Sequence, residues 1–220
     1  MTNIAIIPAA GEGARMGEGE PKIFRMIGGV PVLVRTLRAF ENATEIQSIM
    51  VVIRPEDHER ISALIDEYGC KKVSSLIAGG LTRQQSVAHA LFHLKETPEI
   101  IVIHDAARPF VESSMIDRSV REARTKGAVV FGLRPVDTIK RIGTDRSVLE
   151  TLERDDLQLI QTPEAFQFPI ILQAHLQGGD EESALDDAQL VEKIGKMVTV
   201  LPGDPKNFKI TLPEDLDGAR

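Results

Sequence analysis

The chain has 220 residues, 42% hydrophobic and 27% charged, the balance of a globular protein with enough length for one α/β core and a small excursion. A net charge of −7 excludes a general nucleic-acid binder and makes any local cluster of Arg and Lys a candidate anion site. Cys70 is the only cysteine, so no intramolecular disulfide and no CxxC metal site is expected and a cytoplasmic setting fits; no apolar run approaches the ~20 residues of a membrane span, and Met1 to Gly11 lacks the charged start and apolar core of a signal peptide.

The first element, Asn3 to Pro8, is an isoleucine-rich run that reads as a buried parallel strand. Ala9, Ala10, Gly11 and Gly13 follow, small residues that leave peptide N–H groups open to phosphate oxygens. Arg15 and Lys22 add a guanidinium fork and a mobile ammonium to the same loop. The segment suits a polyphosphate, although a strand-to-helix turn with surface charges has the same composition. Two other glycine motifs fail on register: Met16 stands where a dinucleotide fingerprint needs Gly or Ala, and the chain has no Gly-Lys-Ser/Thr tripeptide.

Further along, a helix is predicted at Val32–Phe40 behind Pro31, a strand at Ile49–Ile53, and a helix at Glu56–Tyr68 between Pro55 and Gly69. A strand at Lys72–Ala78 leads through Gly79-Gly80 into a helix at Thr82–Leu94, where Val87, Ala90, Leu91 and Leu94 keep helical spacing. The strand Ile100–His104 ends in Asp105-Ala106-Ala107-Arg108-Pro109. A helix at Ser113–Lys126 stops before Gly127, and a strand follows at Ala128–Leu133. This alternation implies right-handed βαβ units and a mainly parallel twisted sheet with helices on both faces, so ligands are expected at the carboxyl ends of the strands. Three such loops, those carrying Gly11, Arg83 and Asp105, each hold an anion-binding or metal-binding group.

From about 137 to 162 the chain turns polar, with β-prone pieces at Thr138–Arg141 and Val148–Thr151 around Gly143-Thr144-Asp145. This reads as a protruding β-arm, too small for its own core and expected to pack on another subunit. Helices are predicted near Pro169–Gln177 and Ala184–Lys193, a strand near Met197–Leu201, and a last short strand at Asn207–Thr211. Taken singly, some polar residues have plain structural readings. Asp105 fits a turn cap, Ser86 a small helical residue, Arg154 a solvated surface charge, and His104 a packed strand-end histidine with no second histidine nearby in sequence.

Read together, Ala9-Ala10-Gly11-x-Gly13-x-Arg15-Met16 with Pro21-Lys22, Gly79-Gly80-x-x-Arg83-x-x-Ser86-Val87 and His104-Asp105-Ala106-Ala107-Arg108-Pro109 form an ordered set. Pro135-Val136-Asp137-Thr138, Arg154, Gln161-Thr162-Pro163 and Asn207-Phe208-Lys209-Ile210-Thr211 complete it. The chain resembles the 2-C-methyl-D-erythritol 4-phosphate cytidylyltransferase family over essentially its whole length. The resemblance implies a single nucleotidyltransferase domain over residues 1–220, with a Rossmann-like sheet and a β-arm. It implies transfer of CMP from CTP to the alcohol phosphate, with release of diphosphate, magnesium as cofactor, and a homodimer that exchanges arms. Ribitol 5-phosphate is the alternative acceptor, although Ala106-Ala107 stands where that sister enzyme carries Ser-Val. A non-catalytic nucleotide-binding protein on the same fold is a further alternative, against which Arg15, Lys22 and Lys209 speak.

Carried over residue by residue, the resemblance gives Arg15 and Lys22 to the triphosphate and transition state. Ala9, Ala10, Gly11 and Gly13 supply backbone donors, and Gly80, Arg83 and Ser86 read the cytosine and ribose. Asp105, Ala106 and Arg108 face the alcohol phosphate, with Asp105 beside the metal, which the triphosphate itself largely holds. Thr138 and Arg154 reach in from the partner subunit, and Lys209 orients the attacking phosphate. Two positions depart from the family's usual glutamines, Ile23 and Glu164. After Lys209 only the start of a helix remains, at Pro213 to Arg220, compatible with a longer native protein such as one fused to a cyclase.

Overall fold

The computed structural model describes residues 2–11, 20–178 and 184–217. Gly13 and Arg15 lie outside them. Strand β1 (Asn3–Pro8) leads to a small ribbon, β2 (Met26–Ile27) and β3 (Val30–Pro31), and then to α1 (Val32–Asn42), which starts directly after Pro31. The alternation continues with β4 (Ser48–Ile53), α2 (His58–Tyr68), β5 (Val73–Ala78), α3 (Arg83–His93), β6 (Ile100–Ile103), α4 (Ser113–Lys126) and β7 (Ala128–Leu133). The arm is a two-stranded antiparallel ribbon, β8 (Lys140–Ile142) with β9 (Val148–Thr151). The chain returns through β10 (Leu159–Gln167), α5 (Phe168–Gln177), α6 (Asp187–Lys193), β11 (Thr199–Pro202) and α7 (Glu214–Asp217).

Seven strands form one sheet in the order β11-β7-β10-β6-β1-β4-β5. All pairings are parallel except those of β10, which runs antiparallel between β6 and β7. Both faces are buried, and the period-2 alternation of strands sorts the core. Ala5, Ile7, Ile49, Val51, Ile53, Ile100 and Val102 face α1, α2 and α4 through Leu33, Leu37, Phe40, Ile61, Ile116 and Val120. Ile6, Met50, Val52, Ile101 and Ile103 face α3, α5 and α6 through Val87, Leu91, Ile171, Leu190 and Val191. Each large side chain buried in this way contributes roughly 1.5–3 kcal/mol of transfer free energy. From β1 the chain passes to β4 on one side and reaches β6 on the other, so the sheet's switch point opens between the carboxyl ends of β1 and β6.

Three expectations need correction. The arm ends sooner than 162, because residues from Leu159 already belong to the central sheet. Polar Gln161, Thr162 and Glu164 disguise this strand, yet they are only 5%, 5% and 1% exposed. Their polar groups are matched by tertiary partners: Gln161 Nε2 donates to the carbonyl oxygens of Asp204 and Asn207 (3.0 and 3.2 Å), and Glu164 Oε2 accepts the Asp187 N–H (3.2 Å). The predicted strand at Asn207–Thr211 is not formed. That segment spends its groups on side contacts instead: Ile210 N–H donates to Ala107 O (2.8 Å), Arg108 Nη1 donates to Asn207 O (2.9 Å), and Phe208 stacks on Phe110. The first arm strand starts at Lys140, leaving Thr138 in the connection before it.

The arm stands off the sheet with every residue of β8 and β9 exposed. Ile142, Val148 and Leu149 are 54%, 60% and 63% exposed. No described helix is long and apolar enough to cross a membrane.

Candidate active site

A cavity of about 590 Å³ lies at the switch point, within the range of small-molecule sites. Three loops at strand ends and two segments from outside the sheet build most of it. Pro8 to Gly11 follows β1, with Ala9 N–H donating to Val52 O (2.7 Å) so that the loop runs flush against β4. Gly80 to Arg83 follows β5, Asp105 to Ala107 follows β6, and Lys22 and Lys209 enter from outside the sheet.

Local sequence explains the β5 loop. A Cβ on Gly79 would lie 2.6 Å from Ala10 Cβ, and one on Gly80 2.5 Å from Gln85 Cβ, so only glycine lets the two loops and α3 meet. Thr82 caps α3 by accepting the Gln85 N–H (3.1 Å). Ser86 Oγ accepts the Gly80 N–H (3.1 Å) and Gln85 Oε1 the Leu81 N–H (2.9 Å), which pins the loop from the helix's first turn. Ser86 therefore shapes the cavity as well as lining it.

Asp105 is the electrostatic centre and the only carboxylate among the described residues lining the cavity. Lys209 Nζ lies 2.8 Å from Oδ2, Arg83 Nε 3.5 Å from Oδ1 and Arg108 Nε 3.6 Å from Oδ2. Burial opposes its ionisation, but Lys209 and Arg83 outweigh it and hold the carboxyl well below the usual carboxylate range. His104 fixes the same turn. Arg108 O can only accept, so Nε2 (3.1 Å) carries the ring proton; Nδ1 accepts the Thr162 hydroxyl (3.0 Å), whose oxygen accepts the Asp105 N–H (3.1 Å). The ring is fully buried, and burial lowers its pKa to about 4. His104 is thus the packed strand-end histidine that the sequence led us to expect.

Behind Arg83 lies a layer that sequence reasoning missed. Arg83 Nη1 donates to Asp187 Oδ2 (2.6 Å), and His175 Nε2 lies 2.9 Å from Asp187 Oδ1. Burial disfavours the Asp187 charge, yet Arg83 and His175 hold its pKa low, while burial and the Asp187 charge push Glu164 well above the usual carboxyl range. Burial also works against the Arg83 charge, but Asp187, Glu164 and Asp105 keep it protonated. Asp186-Asp187 looks in sequence like a helix start. Asp186 alone takes that role, accepting the Gln189 N–H (2.8 Å), which frees Asp187 to face Arg83.

Of the predicted site residues, Ala9, Ala10, Gly11, Lys22, Gly80, Arg83, Ser86, Asp105, Ala106 and Lys209 line the one cavity. Lys22 Nζ donates to Ile210 O (3.3 Å), tying the first loop to the segment that carries Lys209. Arg108 stands behind Asp105 rather than in the wall, where burial lowers its pKa. Thr138 and Arg154 sit on the arm and are not among the residues lining the cavity; Arg154 Nη1 donates to Val136 O (2.5 Å). Missed in sequence, Arg54 lines the cavity from the end of β4.

A mainly parallel sheet whose switch point opens on a cavity lined by Lys22, Arg83 and Lys209, the last two paired with its one carboxylate, defines an α/β enzyme of the nucleotidyltransferase class. The family model described as 2-C-methyl-D-erythritol 4-phosphate cytidylyltransferase matches residues 3–220, and the chain belongs to that family. A 2-C-methyl-D-erythritol 4-phosphate cytidylyltransferase from Bacillus cytotoxicus is 46% identical over 213 residues, covering 96% of this chain and 93% of the relative. Among solved structures, a 4-diphosphocytidyl-2C-methyl-D-erythritol synthase from Anaerococcus prevotii superposes with a TM-score of 0.86 at 32% identity, covering 99% of this chain and 96% of that one. A 2-C-methyl-D-erythritol 4-phosphate cytidylyltransferase from Thermus thermophilus gives a TM-score of 0.78 at 32% identity, covering 100% and 97%.

Proposed function

We propose that residues 1–220 act as one nucleotidyltransferase unit that transfers CMP from CTP to 2-C-methyl-D-erythritol 4-phosphate, releasing diphosphate. The convergence of Lys22, Arg83 and Lys209 on the cavity that holds Asp105 carries this reading. The nucleophile is a phosphate monoester oxygen, whose second pKa of about 6 leaves it anionic near neutrality, so no general base is required. The barrier is anion–anion repulsion and the charge that develops on the α-phosphoryl group in an in-line displacement. Lys22, with Arg15, meets the triphosphate; Lys209 orients the attacking phosphate; Gly80, Arg83 and Ser86 hold cytosine and ribose; and Ala106 and Arg108 support the acceptor end. Each charge is set before reaction, which avoids reorganisation cost at the transition state.

Magnesium fits as an ion brought by the triphosphate. Asp105, the carboxylate in the cavity wall, would give it one hard-oxygen ligand beside those of the phosphates. Bound there, the ion would neutralise phosphate charge.

Arm exchange in a homodimer completes the proposal. The exposed apolar residues of β8 and β9 need cover, and Thr138 and Arg154 reach the acceptor site from the partner subunit. A cytoplasmic setting agrees with the single buried thiol of Cys70.

Ribitol 5-phosphate is the less favoured acceptor because Ala106-Ala107 leaves no hydroxyl side chain in that wall. Diphosphate release from CTP and magnesium with each alcohol phosphate tests the reading. Turnover should require an acceptor and be faster with methylerythritol phosphate; faster ribitol phosphate turnover overturns the assignment, and nucleotide binding without diphosphate release with either overturns the enzyme reading.

A further inference from the structure

We infer that Arg54 is a further substrate-binding residue, a preoriented donor to the base of the nucleotide; the inference rests on the nucleotide-binding reading of the same cavity. Arg54 directly follows β4, at the same carboxyl edge as the other site loops, and lines the cavity. It lies at the end bounded by Ala10, Gly80 and Leu81, since Val52 O and Ile53 O accept the N–H groups of Ala9 (2.7 Å) and Gly79 (2.8 Å). That is the Gly80–Ser86 side of the cavity, and Arg54 is not among the cations paired with Asp105, which are Arg83, Arg108 and Lys209.

Its orientation is built. Asp57 stands at the N-cap of α2, where an aspartate normally accepts a helix N–H, yet it makes no side-chain cap. Asp57 Oδ2 instead accepts Arg54 Nε at 2.8 Å, and Glu56 Oε1 lies 3.7 Å from Nη1. Asp57 is only 8% exposed, so the contact is sheltered and the ordering of a long side chain precedes ligand arrival. Two carboxylates offset the positive charge, which suits Arg54 less to the triphosphate than to a neutral acceptor edge. A guanidinium offers N–H donors in a fixed plane, and cytosine presents O2 and N3 as adjacent acceptors.

Steady-state kinetics of Arg54→Ala and Arg54→Lys, with CMP as a competitive inhibitor, test this. Wild-type turnover comes first, and its absence refutes the cytidylyltransferase reading rather than this inference. Given turnover, Arg54→Ala should raise the KM for CTP about tenfold, raise the inhibition constant of CMP by a similar factor, and leave kcat and the KM for the alcohol phosphate within about twofold. Arg54→Lys should not restore CTP affinity, because an ammonium lacks the planar fork. Should Arg54→Ala fail to fold, the lysine variant alone carries the test. An unchanged KM for CTP overturns the inference, as does weaker CTP binding with unchanged CMP inhibition, which would assign Arg54 to the outer phosphates. Loss confined to kcat or to the alcohol phosphate overturns it equally.

Discussion

Protonation of His104 is the perturbation with the clearest magnitude. In the unfolded chain its imidazole titrates near 6.5, whereas burial lowers the folded value to about 4. Between these values the unfolded state binds more protons, so this contribution to stability is complete above about 6.5 and declines as pH falls. At about 1.36 kcal/mol per pK unit the full loss by pH 4 is about 3 kcal/mol, of which about 2 kcal/mol is gone at pH 5. The structural cause is specific. A second ring proton would reverse the Thr162–His104 hydrogen bond and place a cation beside Arg108 and Lys209. Urea unfolding at pH 7.5 and pH 5 for wild type and His104→Gln measures it. Wild type should lose about 2 kcal/mol more than the variant over that interval. Equal losses would rule out His104 as the acid-sensitive group, and so would a wild type that gains stability on acidification. Because the same hydrogen-bond chain holds the Asp105 N–H, the acid-weakened state is also one in which the cavity's carboxylate turn is less well fixed.

Glu164→Gln should raise stability at pH 8 and change it little at pH 5: a raised folded carboxyl pKa gives stability that is complete below the unfolded value and lost as pH rises, and glutamine never ionises. Denaturant titrations at the two pH values check it, and a larger gain at pH 5 contradicts it. Lys22→Ala should lower kcat by about a hundredfold or more while CTP binding weakens less, as for other preorganised charge stabilisers; calorimetric CTP binding reduced in proportion to kcat/KM would contradict that role. Arg154→Ala should mainly raise the KM for the alcohol phosphate. Equal mixing and reassembly with Lys22→Ala should recover about one quarter of wild-type sites, since half the dimers are mixed and each restores one site; no recovery argues against a shared site.

The frame of this fold was legible because its strands obey the period of a doubly covered parallel sheet and its helices carry ordinary start and stop residues. β10 was hidden because Gln161, Thr162 and Glu164 look like loop residues until Asp204, Asn207, His104 and Asp187 supply their partners from 23 to 58 residues away in sequence. Asn207–Thr211 erred the other way: its apolar pattern resembles a strand, but packing against Ala107 and Phe110 supplies the burial instead of a ladder. At the site, loop residues next to strand ends were readable because the sheet topology dictates where they converge. Asp187 was not, since its partner Arg83 is 104 positions earlier and its neighbour Asp186 carries the capping signal. Arg54 had no motif around it. Only the pairing of β4 with β1 and β5 places it at the cavity edge.

Transfer of CMP is read from the fate of the α-phosphorus. With CTP labelled at the α-phosphate, magnesium and 2-C-methyl-D-erythritol 4-phosphate, the label should appear in a cytidine diphosphate-linked alcohol, with one unlabelled diphosphate released per product. Label retained in CTP, or recovered as CMP at a rate indifferent to the alcohol phosphate, would rule out transfer to the alcohol phosphate.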